Sequence, residues 1–335
     1  MKTAAPRFRR QSGPQSGRSP LAAAASPAAL AAALSVAACA AGPAADETVM
    51  PMYLAQNFAV FEESICPAAS GETPFPPAAS VADDPSIAPF QAFDNLYFVG
   101  SLVDSAWALT TPEGIVIFDA MFPYEVEPFI VDGLTALGLD PADIAYVVVA
   151  HGHADHFGGA AFLQDTYGAQ VVMSETDWAL VEGQAGGDTP IPDRDVVVAD
   201  GDSITLGGAT IRFYETPGHT AGTISSLFTV YDDGEPHTAA LWGGTAMNFL
   251  SPELIAAHKT SAERFAALDP SVDVVLSNHQ YADGTLFKME ALAARGPGDP
   301  NPYVVGNAVF QDWMAVTDRC ADAWLAVRAA EAEEA

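Results

Sequence analysis

Positive charge is scarce in this sequence. Lysine and arginine number 13 against 43 aspartates and glutamates, a formal net charge of −30. Five of the 13 (Lys2, Arg7, Arg9, Arg10 and Arg18) fall in the first 18 residues, and no acidic residue precedes Asp46. A chain starting near residue 39 keeps eight basic residues against the 43 acidic ones, a formal −35. Such a surface repels nucleic acid and anionic membrane and favours solubility, so nucleic-acid partners are set aside. Cysteine is equally sparse, with only Cys39, Cys66 and Cys320. The Ala/Leu-rich stretch Leu21–Ala38 is interrupted by Pro27 and is too short and too weakly apolar to span a membrane comfortably. What remains is ample: 335 residues, half of them hydrophobic, can bury one large core or two fused halves.

The first 38 residues have the order of an export signal, a basic segment followed by the Ala/Leu-rich stretch. Leu34-Ser35-Val36-Ala37-Ala38-Cys39 resembles a bacterial lipobox, which makes Cys39 the expected lipid attachment point and the protein a periplasmic lipoprotein. Ordinary cleavage after Ala40 is the alternative, since Ala38 and Ala40 satisfy the small-x-small rule. Arg9-Arg10 hints at twin-arginine export, but the apolar residues expected after the pair are missing. Export implies an oxidising compartment, where thiols pair. With Cys39 lipidated, Cys66 and Cys320 are left to form a disulfide between the N-terminal segment and the last helix; two separate buried thiols are the alternative.

The organisation reads as a signal over 1–38, an N-terminal extension and linker over 39–93, and a domain over 94–335. The linker has a short helix over Met52–Ile65 and a Pro/Ala/Ser-rich extended stretch over Pro67–Pro89. Strands are expected at Asn95–Gly100, Ala106–Thr110 and Gly114–Asp119, then a helix from Glu125 to Leu137. Ala145–Ala150 is apolar and β-branched, as a buried strand should be. Further strands are expected at Val171–Ser174, Val196–Ala199, Ser203–Leu206, Thr210–Glu215, Ser225–Tyr231, Thr238–Trp242 and Val272–Ser277. Helices fit Gly158–Tyr167, Thr176–Glu182, Pro252–Leu268, Asp283–Arg295 and Asn307–Ala330. The last carries Val309, Trp313, Val316, Cys320 and Val327 on one stripe, so it packs. The Gly/Pro/Asp-rich loop 183–195 is of the kind that borders a site.

Residues 151–159, His-Gly-His-Ala-Asp-His-Phe-Gly-Gly, follow the buried strand and precede a helix. Open α/β sheets place their sites at such strand ends. In so tight a turn His151 and His153 can converge on one cation, while Asp155 and His156 project the other way and can hold a second. Imidazoles with one carboxylate suit zinc, and three protein ligands leave a place for water. Three histidines and an aspartate within six residues are hard to read as a merely solvated turn in a chain with seven histidines.

HGHADH resembles the H-x-H-x-D-H signature of the metallo-β-lactamase superfamily, and the resemblance extends from about Asn95 to His279. It implies a four-layer αβ/βα sandwich with the site between two sheets, and a pair of zinc ions as cofactor. Thr216-Pro217-Gly218-His219-Thr220 resembles the family's G-H-T motif, which makes His219 the third ligand of the first ion. His279, in Ser277-Asn278-His279-Gln280, matches the last ligand of the second ion, beside Asp155 and His156. Asp119 matches an aspartate that steadies a ligand histidine. His237 and His258 match nothing and are expected to be solvated.

One position departs from much of the family. In Leu241-Trp242-Gly243-Gly244-Thr245, glyoxalase II-like hydrolases have a metal-bridging aspartate and a large group of zinc β-lactamases has cysteine; here Thr245 stands. This is similar to the third subclass of metallo-β-lactamases, where a serine takes the position. A neutral hydroxyl is a poor zinc ligand, so Thr245 is expected to hold water or substrate, with Asn248 and Gln280 as further substrate contacts. The resemblance implies an exported hydrolase that opens β-lactam rings with water activated between the zinc ions, Asp155 being the catalytic carboxylate. A lactone or ester hydrolase on the same ligands is the alternative, because specificity resides in loops such as 183–195 and 246–252. The partner is then a small molecule, a lipid on Cys39 allows membrane attachment, and a monomer is expected. Replacing Cys39 by Ala should move the protein from the membrane fraction to the soluble periplasm; a wild type already soluble contradicts the anchor.

Overall fold

The computed structural model describes residues 61–67 and 86–334. The expected leader, Cys39, residues 52–60 of the expected first helix and 68–85 of the expected extended stretch lie outside them.

Strand pairing builds two sheets. The first runs in sequence order through β1 (Phe90–Phe93), β2 (Leu96–Phe98), β3 (Trp107–Thr111), β4 (Gly114–Phe118), β5 (Ile144–Val148), β6 (Gln170–Ser174) and β7 (Val196–Val198). Its first half is antiparallel and its second, from β4 to β7, parallel. The second sheet is ordered β12-β11-β10-β9-β8, from β8 (Ser203–Leu206), β9 (Ala209–Glu215), β10 (Ile224–Asp232), β11 (Glu235–Trp242) and β12 (Val272–Ser277). Only β11 and β12 pair parallel there. β1 falls in the stretch where the sequence suggested no strand.

Side chains alternate across each strand, and both faces of the two sheets are apolar. On β4, Val116 and Phe118 point between the sheets, while Ile115 and Ile117 point outward to the helices. Val148, Phe213, Phe228, Leu241 and Leu276 fill the same inter-sheet layer, and Phe118 stacks on Phe228 across it at 4.6 Å. Each such burial contributes roughly 1.5–3 kcal/mol. The outer face of the first sheet is covered by the helices Asp132–Ala136, Ala160–Tyr167 and Glu175–Glu182. That of the second is covered by Pro252–Ala266 and Asn307–Glu334. The result is four layers, helix–sheet–sheet–helix, the sandwich expected from the resemblance.

Local chemistry sets the helix ends. Ser174 and Ser251 cap their helices by accepting from Asp177 N and Leu254 N, with Pro252 in the first turn. The helix expected over Asp283–Arg295 is shorter, Thr285–Ala293, and a separate turn Gln280–Asp283 precedes it. Gly284, at φ +70°, makes the break. The helix expected from Glu125 begins as a π-helical stretch, Val126–Val131, before Asp132–Ala136. Among the described residues no helix is long and apolar enough to cross a membrane.

Residues 61–65 are helical and lie on the last helix. Phe61 stacks on Trp313 at 4.6 Å, and Trp324 Nε1 donates to the Ile65 carbonyl at 2.7 Å. Cys66 and Cys320 are joined in a disulfide, with Cα atoms 4.5 Å apart across 254 residues of sequence. Cross-linking so distant a pair restricts the unfolded chain. Cys320→Ala should lower the unfolding free energy by about 2–5 kcal/mol, measured by denaturant titration without reductant; stability equal to wild type contradicts a role for the bridge.

Candidate metal centre

Three loops, after β5, β9 and β12, bring six potential ligands to one edge of the two sheets. The loop after β5 is shaped by the end of its parallel neighbour β4. Asp119, at φ +61°, accepts from Ala150 N at 2.7 Å through Oδ1, and its Oδ2 lies 2.8 Å from His156 Nδ1. The chain after Asp119 lies directly against Gly158-Gly159. A Cβ on Gly159 would sit 2.3 Å from the Ala120 carbonyl, so no side chain fits there.

Asp177 ties this loop to the one after β9. Buried at the start of its helix, it accepts from Gly152 N at 2.8 Å, Thr220 Oγ1 at 2.6 Å and Gly222 N at 3.0 Å. Burial raises its pKa, and the hydrogen bonds from Thr220, Gly152 and Gly222 oppose that. Its sequence signal was the helix start Ser174-Glu175-Thr176-Asp177, which marks a capped terminus and gives no hint of a clamp.

His151, His153 and His219 form the first triad, each offering one ligand atom within 4.8 Å of the others. His151 Nδ1 donates to the Gly243 carbonyl at 2.7 Å and His219 Nδ1 to that of Ala246 at 2.8 Å, which turns both Nε2 atoms inward. His153 presents Nδ1, 3.0 Å from His219 Nε2. Burial pushes His151 and His219 well below the usual histidine range, and neighbouring imidazoles push further. Neutral rings are what a cation requires.

Asp155 joins two further groups whose ligand atoms lie within 4.8 Å of one another, one with His151 and His156 and one with Asp104 and His279, so the expected second triad of Asp155, His156 and His279 spans both. Asp155 Oδ2 lies 3.2 Å from His156 Nε2 and 3.9 Å from His279 Nε2. Burial pushes Asp155 up, but His156, by charge and hydrogen bond, and then His279 hold it well below the carboxylate range. His156 is the mirror case: burial pushes it down, and Asp155 with Asp119 outweighs burial and holds it well above its usual value. A cation at this triad therefore has to displace a proton from His156.

Nε2 of the neutral His151 ring is buried and makes no hydrogen bond. An orphaned buried acceptor costs about 1–3 kcal/mol. A divalent cation at the first triad removes that cost, and beside Asp155 it takes the place of the His156 proton, so the residues present fit a metal centre. Each triad supplies three ligands and leaves positions open for water and substrate.

Thr245 is buried next to this centre, and Gly244 packs on His219. The Gln280 side chain is turned to the Leu102 carbonyl, and the Asn248 carbonyl accepts from Arg328. Four residues at the centre were not singled out in the sequence. Asp177 is one. Asp104 is buried behind His279 and Glu125 is buried beside Asp104, and burial, then the neighbouring Asp104, pushes Glu125 up to about 7. Phe249, 57% exposed, holds its ring 5.3 Å from His219 and 5.8 Å from His153 and forms an apolar wall. An aspartate and a phenylalanine in two loops carry no periodic signal.

The two unmatched histidines are not solvated as expected. His237 is half-buried, with Nδ1 2.7 Å from Asp273 Oδ2. His258 is fully buried, because it shares the inner face of its helix with Ile255, Ala262 and Phe265. Its ring lies 5.4 Å from Trp242, and its Cβ leaves room only for a glycine at Gly218.

Residues 100–231 match the sequence profile described as Metallo-beta-lactamase superfamily. Among curated proteins, a hydroxyacylglutathione hydrolase of Acidiphilium cryptum is 30% identical over 161 residues, 43% of this chain and 59% of that protein. The corresponding protein of Rhodopseudomonas palustris is 35% identical over 100 residues, 30% of this chain and 34% of its own length. The chain thus spans about a third to three fifths of these relatives. Among solved structures, the subclass B3 metallo-β-lactamase BJP-1 of Bradyrhizobium japonicum is similar at a TM-score of 0.64 and 27% identity, over 75% of this chain and 99% of that one. A metallo-β-lactamase of Cronobacter sakazakii is similar at 0.62 and 29% identity, over 73% and 96%.

Burial depresses the His258 pKa to about 4 from 6.5. The unfolded chain then takes up this proton first, so the stability of the neutral ring is complete above about pH 6.5. It is lost as pH falls toward about 4, ~3 kcal/mol in all. In metal-free protein, His258→Leu should flatten the fall of unfolding free energy over that range; curves parallel to wild type contradict this.

Proposed function

We propose that this chain, which carries a metallo-β-lactamase superfamily domain, holds two zinc ions and hydrolyses a strained cyclic amide, a β-lactam. The observation that carries the reading is the set of adjoining ligand groups, His151/His153/His219 on one side and, joined through Asp155, His156 and His279 on the other, with neutral Thr245 where other hydrolases of the resembled family place a bridging aspartate. Zinc held there supplies a Lewis acid and lets water ionise near neutral pH, at a pKa of about 7.

The chain's own residues do the rest. Asp155, anionic at any working pH, accepts a hydrogen bond from the incoming water and aims its oxygen at the substrate carbonyl. That oxygen joins the carbonyl carbon, the ring C–N bond breaks, and the nitrogen takes the proton. Asp119 fixes the ring of His156 through Nδ1. Phe249 packs on the substrate body and keeps water off that side. In this reading the leader exports the protein, Cys39 anchors it, and it works as a monomer.

A specific observation favours a second reading, hydrolysis of a lactone or ester. Among the described residues no lysine or arginine pairs with either triad, and Arg328 beside the Phe249 loop is committed to the Asn248 and Leu250 carbonyls. The carboxylate of a β-lactam finds no cationic side chain there, whereas a neutral lactone needs none. Zinc charge at short range offsets the acidic surface, which is screened beyond ≈ 8 Å at physiological salt.

Metal analysis should find two zinc ions, the second removed first by mild chelation because no anion bridges them. One ion, or iron, contradicts the reading. In a panel of penicillins, cephalosporins, carbapenems, lactones and thioesters, at least one β-lactam should be hydrolysed. Asp155→Ala should lose about 10²–10⁴-fold in rate with folding intact. A zinc-loaded protein that ignores all β-lactams and opens lactones transfers the function to the second reading.

A further inference from the structure

The segment 101–105, between β2 and β3, is sewn to the segment that carries His279. Asp104 and His279 form an isolated antiparallel bridge, and Ser105 N donates to the Asn278 carbonyl at 2.9 Å. The Gln280 amide donates to Leu102 O. Within the segment, Ser101 Oγ accepts from Val103 N at 3.1 Å and from Asp104 N at 3.0 Å, which folds it into a tight turn. This turn fixes two acceptors against one imidazole nitrogen. His279 Nδ1 lies 3.2 Å from the Val103 carbonyl and 3.1 Å from Asp104 Oδ1.

Asp104 is 2% exposed, and its Oδ1 makes no hydrogen bond of its own. A buried anion with a bare oxygen beside a histidine needs an electrostatic reason to be there. The arrangement repeats one on the other side of the triad. His156 presents Nε2 to Asp155 and carries Asp119 behind Nδ1 at 2.8 Å. His279 presents Nε2 to Asp155 and carries Asp104 behind Nδ1.

We propose that Asp104 is a positioning residue for the second metal: its buried charge, set behind His279, makes that imidazole a stronger ligand and offsets the absence of a bridging carboxylate at Thr245. This rests on the two-metal reading of the centre. The two acceptors divide the task. The Val103 carbonyl orients the ring, and Asp104 sets a carboxylate behind the Nδ1–H, as carboxylates behind ligand imidazoles do. Each histidine of the second triad then has its own buried carboxylate, whereas the first triad is backed by the neutral carbonyls of Gly243 and Ala246.

The test uses the zinc-loaded full chain and Asp104→Asn, which keeps shape and an acceptor and removes charge. Chelator competition should show the second ion held 10–100-fold more weakly in the variant, with the first ion unchanged. In the proton NMR spectrum, the His279 Nδ1–H signal should be present in wild type and move upfield in Asp104→Asn, with Asp104→Glu restoring part of both effects. Equal retention of the second ion, or an unmoved signal, overturns the proposal. So does a missing Nδ1–H signal in zinc-loaded wild type, because Nδ1 would then be the ligand and Asp104 a direct partner of the ion. The wild-type ion count alone reports on the two-metal reading; the movement of the signal reports on Asp104 whichever count is found.

Discussion

The first triad takes two histidines from one sheet and one from the other, so its geometry depends on what holds the two sheets in register at that edge. Asp177 does this. One buried carboxylate accepts from Gly152, in the loop that carries His151 and His153, and from Thr220 and Gly222, which flank His219 on the far side. Without the acceptor, three buried donors lose their partner, each at about 1–3 kcal/mol. Asp119 has the matching task within the first sheet, joining Ala150 to His156. The inter-sheet apolar layer, with Phe118 on Phe228, brings the halves together but is non-directional. Directed hydrogen bonds decide where the imidazoles stand.

The frame of the molecule was legible because it follows short-range rules. Strands with two apolar faces read as apolar runs, and Ser251-Pro252 announced a helix. The six ligands were legible for a different reason: four lie within six residues, and the other two follow strands in motifs with a known resemblance. What stayed hidden is the long-range layer. Asp104 meets His279 across 175 positions, and no local pattern distinguishes that aspartate from a solvated loop residue. His258 misled because a lone histidine among Ala and Lys looks exposed, although the 255/258/262/265 spacing places it on the packed face. β1 went unseen because its alternation is short and follows a Pro-rich stretch.

The centre is crowded with opposing charge. Asp104, Asp119 and Asp155 surround two histidines of the second triad, and in the first triad His151 and His219 present buried neutral rings. A divalent cation fits both halves, since it satisfies the bare Nε2 of His151 in one and replaces the proton of His156 in the other. Folding and metal uptake are therefore linked: any ion that binds the folded form better than the unfolded chain stabilises it by mass action.

The apolar wall of the centre has a remote owner. Phe249 sits between Asn248 and Leu250, and the carbonyls of both are held by Arg328, on a helix that the Cys66–Cys320 bridge fastens in place. That helix supplies no ligand to either triad, yet it sets the height and tilt of the apolar wall beside them. Substitutions drifting through the last helix would therefore reshape that wall at a distance, with every candidate metal ligand unchanged.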